Sequence, residues 1–385
     1  MEKILQLIKQ IDTDDQTAEN AVVQLVSIGM PSVPAVINAI RAHPGSTWRL
    51  CEVLRQIHHP DIVPILIELL QEEDTDLVIT AFQALGQSKD QRALQPLLDA
   101  LSGLSESMAT KALGELGNPQ AVEGLLKVAQ EILNKPHVSQ AIEGKLDIDE
   151  EDFDDSPLRF LPEVIIALAK LGNYEMAHIV IPLTRYQSED VYSDAEIIRT
   201  NATKALQYVV LPGMFPALQA ALHDDYNEVR LQAVDAVFYL GIKEAIGELI
   251  ACVQDESSVV VNNVLVRLHD LTGTWFKDDV QTDELQEWWK QQQTNYEGGV
   301  CYRLGKPLHL PDVIALLEEP NQRKPIIQEL KIIAGVDFSL NVRFESQGQD
   351  ELVQRALQWW QQEGHRFEDG CLYKYGYKQD IKNIF

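Results

Sequence analysis

The chain has 385 residues, 45% of them hydrophobic, and its 59 acidic against 32 basic residues leave a net charge of −27. That hydrophobic fraction excludes general disorder, and no run of about 18 apolar residues offers a membrane span. Nucleic-acid binding needs a basic face to displace counterions from phosphates, so the acidity argues against it and against anionic lipid; it suits solubility or a basic protein partner.

Residues 1–130 predict paired helices. The stretch Ala21–Gly29 closes one helix, and Pro31 opens the next at the first turn, where a missing N–H costs little. Val33, Val36, Ile37 and Ile40 then recur at helical spacing. The same grammar returns in Leu50–Ile57 with Asp61–Leu70, in Leu77–Leu85 with Ala93–Leu101, and in Ala109–Leu116 with Ala121–Leu126. Second helices open near Pro60-Asp61 and Asn118-Pro119, a proline or polar cap. The Leu-Gly pairs at 85/86 and 116/117 set a period of 31 residues, and a period in the range of about 20–50 means a solenoid. Ala81, Ala84, Ala109 and Ala112 let neighbouring helices approach, and Gly after Leu lets the chain turn back in a left-handed conformation.

The period breaks near 135–158, where Asp147, Asp149, Glu150, Glu151, Asp152, Asp154 and Asp155 crowd together before Ser156-Pro157. Such a block repels itself and predicts an acidic surface loop, with docking of a basic partner as the sharper reading; it lacks the glycine and distal glutamate of a calcium loop. Helical pairs resume at Leu161–Leu171, Ile198–Val209 and Val229–Leu240, with second helices near Ala177–Leu183, Met214–Leu222 and Ala245–Val253, and Val259–Leu271 leads out of the array.

From residue 268 a module is written twice. Leu268-x-x-Leu271-Thr272-Gly273-x-x-Phe276 matches Leu330-x-x-Ile333-Ala334-Gly335-x-x-Phe338, Trp288-Trp289 matches Trp359-Trp360, and Tyr302-Arg303-Leu304-Gly305 matches Tyr373-Lys374-Tyr375-Gly376. The offset is 62 at the first match and 71 at the others, so the second copy carries nine extra residues, expected around Phe344–Asp350. Each copy predicts a helix ending in a Gly turn, a Trp-Trp helix and a short extended piece. The four tryptophans supply apolar area for a cap over the end of the solenoid, or one of each pair stands exposed as a binding hot spot.

The expected organisation is therefore all-α: an α-solenoid of helical pairs with a C-terminal α-rich capping region. Its parts are 1–135, a first repeat block; 136–158, an acidic insertion; 159–270, a second block; and 271–385, the duplicated module. The line Val229-Arg230-x-x-Ala233-x-x-Ala236-x-x-x-Leu240-Gly241 resembles short bacterial HEAT repeats, in particular those of phycobilisome lyases and related proteins, over about residues 20–270. The resemblance implies a solenoid that presents one face to a partner, and it transfers no catalytic residue.

Cys51, Cys252, Cys301 and Cys371 form no C-x-x-C pair and predict free, mostly buried thiols. Deoxyhypusine hydroxylase, another HEAT solenoid, is characterised by repeated His-Glu dipeptides; the chain has none, and His58-His59-Pro60 reads as a helix end. No phosphate loop, nucleophile elbow or zinc-protease motif occurs. No catalytic residue, metal or cofactor is expected, and the repeats point to a binding face without naming its residues. Met1-Glu2-Lys3-Ile4-Leu5 lacks the pattern of a signal peptide, so the cytoplasm is expected. Three functions fit: a non-catalytic protein-binding scaffold or adaptor, whose second helices would line a concave face; a bilin lyase-like chaperone or cofactor-assembly factor; and an acidic immunity or inhibitor protein against a basic toxin.

Overall fold

The computed structural model describes all residues except 14, 43–47, 58, 104, 144–155, 188–193, 337 and 339–348. The acidic run at 147–155, and most of the segment expected to hold the nine extra residues, lie outside the described residues. The chain divides into two units, residues 1–128 with 338–352 and residues 129–337 with 353–385. Among the described residues the fold is an all-α solenoid architecture, strands are confined to two short hairpins, and no single helix is long and apolar enough to cross a membrane.

The first unit contains α1 (Glu2–Gln10), α2 (Asp15–Ile28), α3 (Val33–Ala42), α4 (Trp48–Gln56), α5 (Ile62–Leu69), α6 (Thr75–Ser88), α7 (Leu94–Asp99) and α8 (Glu106–Leu116), and α9 (Val122–Leu133) begins in it. The first helices α2, α4, α6 and α8 pack on one another in series, while α3, α5 and α7 pack on α4, α6 and α8. Side-chain caps start several elements. Asp74 accepts the Asp76 and Leu77 amides (3.0 and 3.1 Å) at the head of α6, and Asn118 accepts the Gln120 amide (3.0 Å) ahead of α9. Asp61 makes no such bond for α5.

The expectation for Leu85-Gly86 needs correction. Gly117 does close α8 in the left-handed conformation (φ 71°), but Gly86 lies within α6, and Lys89 (φ 56°) makes the turn instead. Gly86 is small for a packing reason: a Cβ there would stand 2.9 Å from both Cα and O of Ala112 on α8. The α6–α8 approach is set by backbone against backbone.

The second unit contains α10 (Pro136–Ile142), α11 (Ser156–Lys170), α12 (Val180–Leu183), α13 (Ala195–Ala205), α14 (Met214–Ala221), α15 (Asn227–Phe238), α16 (Lys243–Ala251), α17 (Ser258–Thr272), α18 (Thr282–Gln292), α19 (Leu310–Ala315), α20 (Arg323–Ala334) and most of α21 (Gln349–Glu363). The row α11, α13, α15, α17 packs in series, and Val229, Ala233, Ala236 and Leu240 of the repeat line are completely buried. An ionic ladder with the same 31-residue period holds it. Arg199 grips Asp224 through Nε (2.8 Å) and Nη2 (3.0 Å), and Arg230 grips Asp255 the same way (2.7 and 2.9 Å). Each aspartate also accepts the amide two residues on, Tyr226 (2.9 Å) or Ser257 (2.8 Å), so one carboxylate both shapes its turn and anchors the preceding repeat.

The extended pieces of the tail are hairpins, β1 (Tyr302–Arg303) with β2 (Lys306–Pro307) and β3 (Tyr373–Lys374) with β4 (Tyr377–Lys378). Both central residues of each turn have positive φ (Leu304 51°, Gly305 74°; Tyr375 50°, Gly376 81°), the requirement of a type I′ connection. The hairpins satisfy helix-end carbonyls that lack intrahelical partners. Leu304 and Gly305 donate to the Asp270 and Leu271 carbonyls of α17 (both 2.8 Å); Tyr375 and Gly376 do the same for Ile332 and Ile333 of α20 (2.7 and 2.8 Å). Tyr302 donates to the Gly241 carbonyl beyond α15 (2.7 Å), and the Ile384 carbonyl takes the Phe215 amide in the first turn of α14 (2.9 Å). The tail thus runs back along the turns of the array, where the Tyr377 ring covers Gly172 beyond α11 and Tyr375 stacks on Tyr208 (5.9 Å, 27°).

Candidate functional site: a groove between α4, α5 and α6

In the first unit α4, α5 and the C-terminal half of α6 leave a cavity of about 240 Å³. Its floor is Ile57, Ile62, Val63, Leu66 and Ala84, all buried; its rim is Arg55, His59, Ser88 and Asp90, with His59 and Pro60 exposed at the mouth. The floor comes from Ile57 just beyond α4, Ile62, Val63 and Leu66 on one side of α5, and Ala84 of α6, which presents only a methyl group to the cavity.

The rim is held by ion pairs. Arg92 clips the two loops that flank the groove, bonding Asp90 through Nε (3.0 Å) and Nη2 (2.6 Å) and the Pro60 carbonyl through Nη2 (2.6 Å). The hydrogen bond from Arg92 holds the Asp90 carboxyl below its ordinary range. Arg55 bonds Glu52 and Gln83 Oε1 (the latter 3.1 Å), and among the described residues its buried Nε has no partner. The groove therefore combines an apolar floor with a polar, ion-paired rim, the arrangement that receives an apolar side chain.

The other dense set of titratable groups, in the second unit, is buried at Asp270, Arg303 and Glu329 and half-buried at Asp235 and Arg267. Arg303 joins Asp270 (3.1 Å) to Glu329 (3.0 Å), and Arg267 joins Asp235 (2.8 Å). Burial pushes the Glu329 carboxyl up against the pull of Arg303. Lys374, which occupies in the second copy the place of Arg303 in the first, is completely buried; its Nζ donates to the Tyr239 carbonyl (3.2 Å), and burial lowers its pKa to about 7. Arg303 and Lys374 hold the hairpins to the helices, and Arg267 ties α17 to α15.

His59, read from the sequence as part of a helix end, stands on the groove rim, and His58 lies outside the described residues. Cys252 and Cys301 are buried, and burial pushes both thiols up to about 12; Cys51 and Cys371 are half-buried. The four tail tryptophans are all half-buried and form aromatic chains, Trp289–Tyr296–Tyr302 in the first copy and Trp360–Phe367–Tyr373 in the second. Neither member of a pair is singled out by exposure. The groove residues were invisible as a group because a floor isoleucine and a core isoleucine occupy the same helical stripe.

Two family models match the chain: HEAT repeats over residues 42–107 and the PBS lyase HEAT-like repeat over residues 107–131. A comparison with curated protein sequences finds no match. Among solved structures, the complex of CpcE and CpcF of phycocyanin lyase from Nostoc sp. PCC7120 is 15% identical with a TM-score of 0.38, covering 74% of this chain and 94% of its own. Human deoxyhypusine hydroxylase in complex with glycerol is 19% identical with a TM-score of 0.25, covering 65% and 94%, and an engineered protein is 15% identical with a TM-score of 0.23, covering 71% and 99%. The groove residues 55–90 fall inside the matched HEAT segment, and the chain is an all-α protein carrying HEAT and PBS lyase HEAT-like repeats over residues 42–131.

Proposed function

We propose that this chain is a non-catalytic protein-binding scaffold, in which the α4–α6 groove receives an apolar side chain of a partner. The observation that carries the reading is the groove itself, an apolar floor open to solvent within the repeats. Filling such a floor with one leucine or aromatic side chain is worth about 1.5–3 kcal/mol, the size of a hot spot. Ala84→Leu tests it by putting three carbons into the space. The wild-type chain retains a stoichiometric partner from native extract, and the variant loses it while keeping or raising its melting temperature, since cavity filling commonly stabilises. Equal capture by both chains, or a turnover of the purified chain by itself, sinks the reading.

A second reading, a chaperone-like lyase for a bilin-bearing protein, is favoured by the match of residues 107–131 to a PBS lyase HEAT-like repeat. Mixing the purified chain with a bilin tests it: a shifted absorption band supports it, and an unchanged spectrum with no adduct on an acceptor protein removes it.

A further inference from the structure

The row of first helices in the second unit ends at α17, and the end presents a surface unlike those inside the row. Polar bonds join α15 to α17: Asp235 takes Asn263 Nδ2 (3.3 Å) and Arg267 Nε (3.0 Å) from α17. One 31-residue period on, the place of Asp235 is taken by Val266 and that of Glu228 by Val259. Val259 is 59% exposed and Val266 43%. Seven residues apart, they share a helix face. His269 continues that face, and Trp275, 67% exposed, lies flat on the His269 ring at 3.6 Å and 18°. Val259 and Val266 therefore lie on α17 at the positions where α15 carries Glu228 and Asp235, with Asn262 exposed between them, and Trp275, just beyond the helix, extends this face past His269.

The ends of the stripe are acidic. Glu256, its side chain 83% exposed and 3.3 Å from Arg230 Nη2, precedes it, and Asp278 and Asp279, both exposed, follow Trp275, with Lys277 beside them. We propose that this face docks a basic amphipathic helix of a partner protein. Apolar residues seven apart would lie on Val259 and Val266, another would lie on Trp275, and lysines or arginines would reach the acidic ends. Helices recognise such surfaces through apolar anchors at i, i+3/i+4 and i+7, and a net charge of −27 steers a cationic partner toward them. A second copy of this chain is disfavoured as the occupant because it brings the same charge and the same acidic ends.

The test uses the full-length chain and a fluorescein-labelled synthetic helix with leucines along one face and lysines elsewhere, read by anisotropy, with glutamates replacing the lysines as the control. The lysine helix binds saturably, more weakly as salt rises, protects the amides of residues 258–272 from exchange, and loses about tenfold or more in affinity to Val266→Asp; the glutamate helix does not bind. Val266→Asp discriminates because it adds a carboxylate at an exposed site: purely electrostatic attraction strengthens, whereas apolar docking weakens. Absence of saturable binding, affinity unchanged or increased in Val266→Asp, or protection elsewhere on the chain overturns the proposal.

Discussion

Lys374 is the side chain most at odds with its surroundings. A completely buried amine with one carbonyl acceptor keeps its proton only at a cost, and its pKa falls from 10.5 to about 7. Between those values the unfolded chain binds the extra proton, so the contribution of Lys374 to stability improves as pH rises from about 7 to about 10.5, and the full penalty is present below about 7. Lys374→Met should therefore stabilise the protein by up to roughly 4 kcal/mol near neutral pH and by progressively less toward pH 10. Urea unfolding of variant and wild type at both pH values checks this; a difference that grows with pH refutes the assignment. Gly86 sets steric against conformational effects. In an open helix Gly→Ala gains about 1 kcal/mol, but here the new Cβ meets the Ala112 backbone at 2.9 Å, and overpacking of that kind costs about 1–3 kcal/mol. Gly86→Ala should lower the melting temperature; an increase would mean that α6 and α8 can separate freely.

Among the elements, the turns between repeats carry the specific interactions. Asp255 and Arg230 are 8% and 6% exposed in their side chains and bond bidentately, whereas the Arg41–Glu72 pair in the first unit is 46% and 31% exposed. Removing one partner of a buried pair strands the other charge and costs about 3–5 kcal/mol, while an exposed pair is worth less than about 1 kcal/mol. Asp255→Ala should destabilise several-fold more than Glu72→Ala in chemical denaturation. It should also loosen amide protection at Ser257, whose amide Asp255 accepts. The repeat line predicted the buried valine and alanines of α15, but it named Arg230 only as part of a pattern. The ladder became visible when the fold placed Asp255, 25 residues away, against that guanidinium.

For the molecule as a whole, net charge works against compactness. With 59 carboxylate residues against 32 basic ones, self-repulsion is strongest at low ionic strength and is screened within about 10 Å at 0.1 M salt. The thermal midpoint should rise between about 0.01 and 0.5 M sodium chloride; a fall would mean that the ladders and other attractive pairs outweigh the repulsion. The duplicated tail follows the same logic of satisfaction. Its hairpins give N–H donors to helix-end carbonyls of α17 and α20 and to the Gly241 carbonyl beyond α15, and its last residues reach α14, so it acts along the turns of the row as well as at its end.

Hydrophobic period and small residues at fixed places were enough to define helical pairs and an α-solenoid of HEAT-like repeats, because these follow from local geometry and from residues near in sequence. Gly86 misled because a helix-ending glycine and a glycine cleared for a neighbouring helix read alike. The groove under Ala84, the burial of Lys374 and the bare stripe on α17 were decided only by tertiary packing: each depends on which side chain from a distant repeat arrives, or fails to arrive, at a position whose own sequence is ordinary.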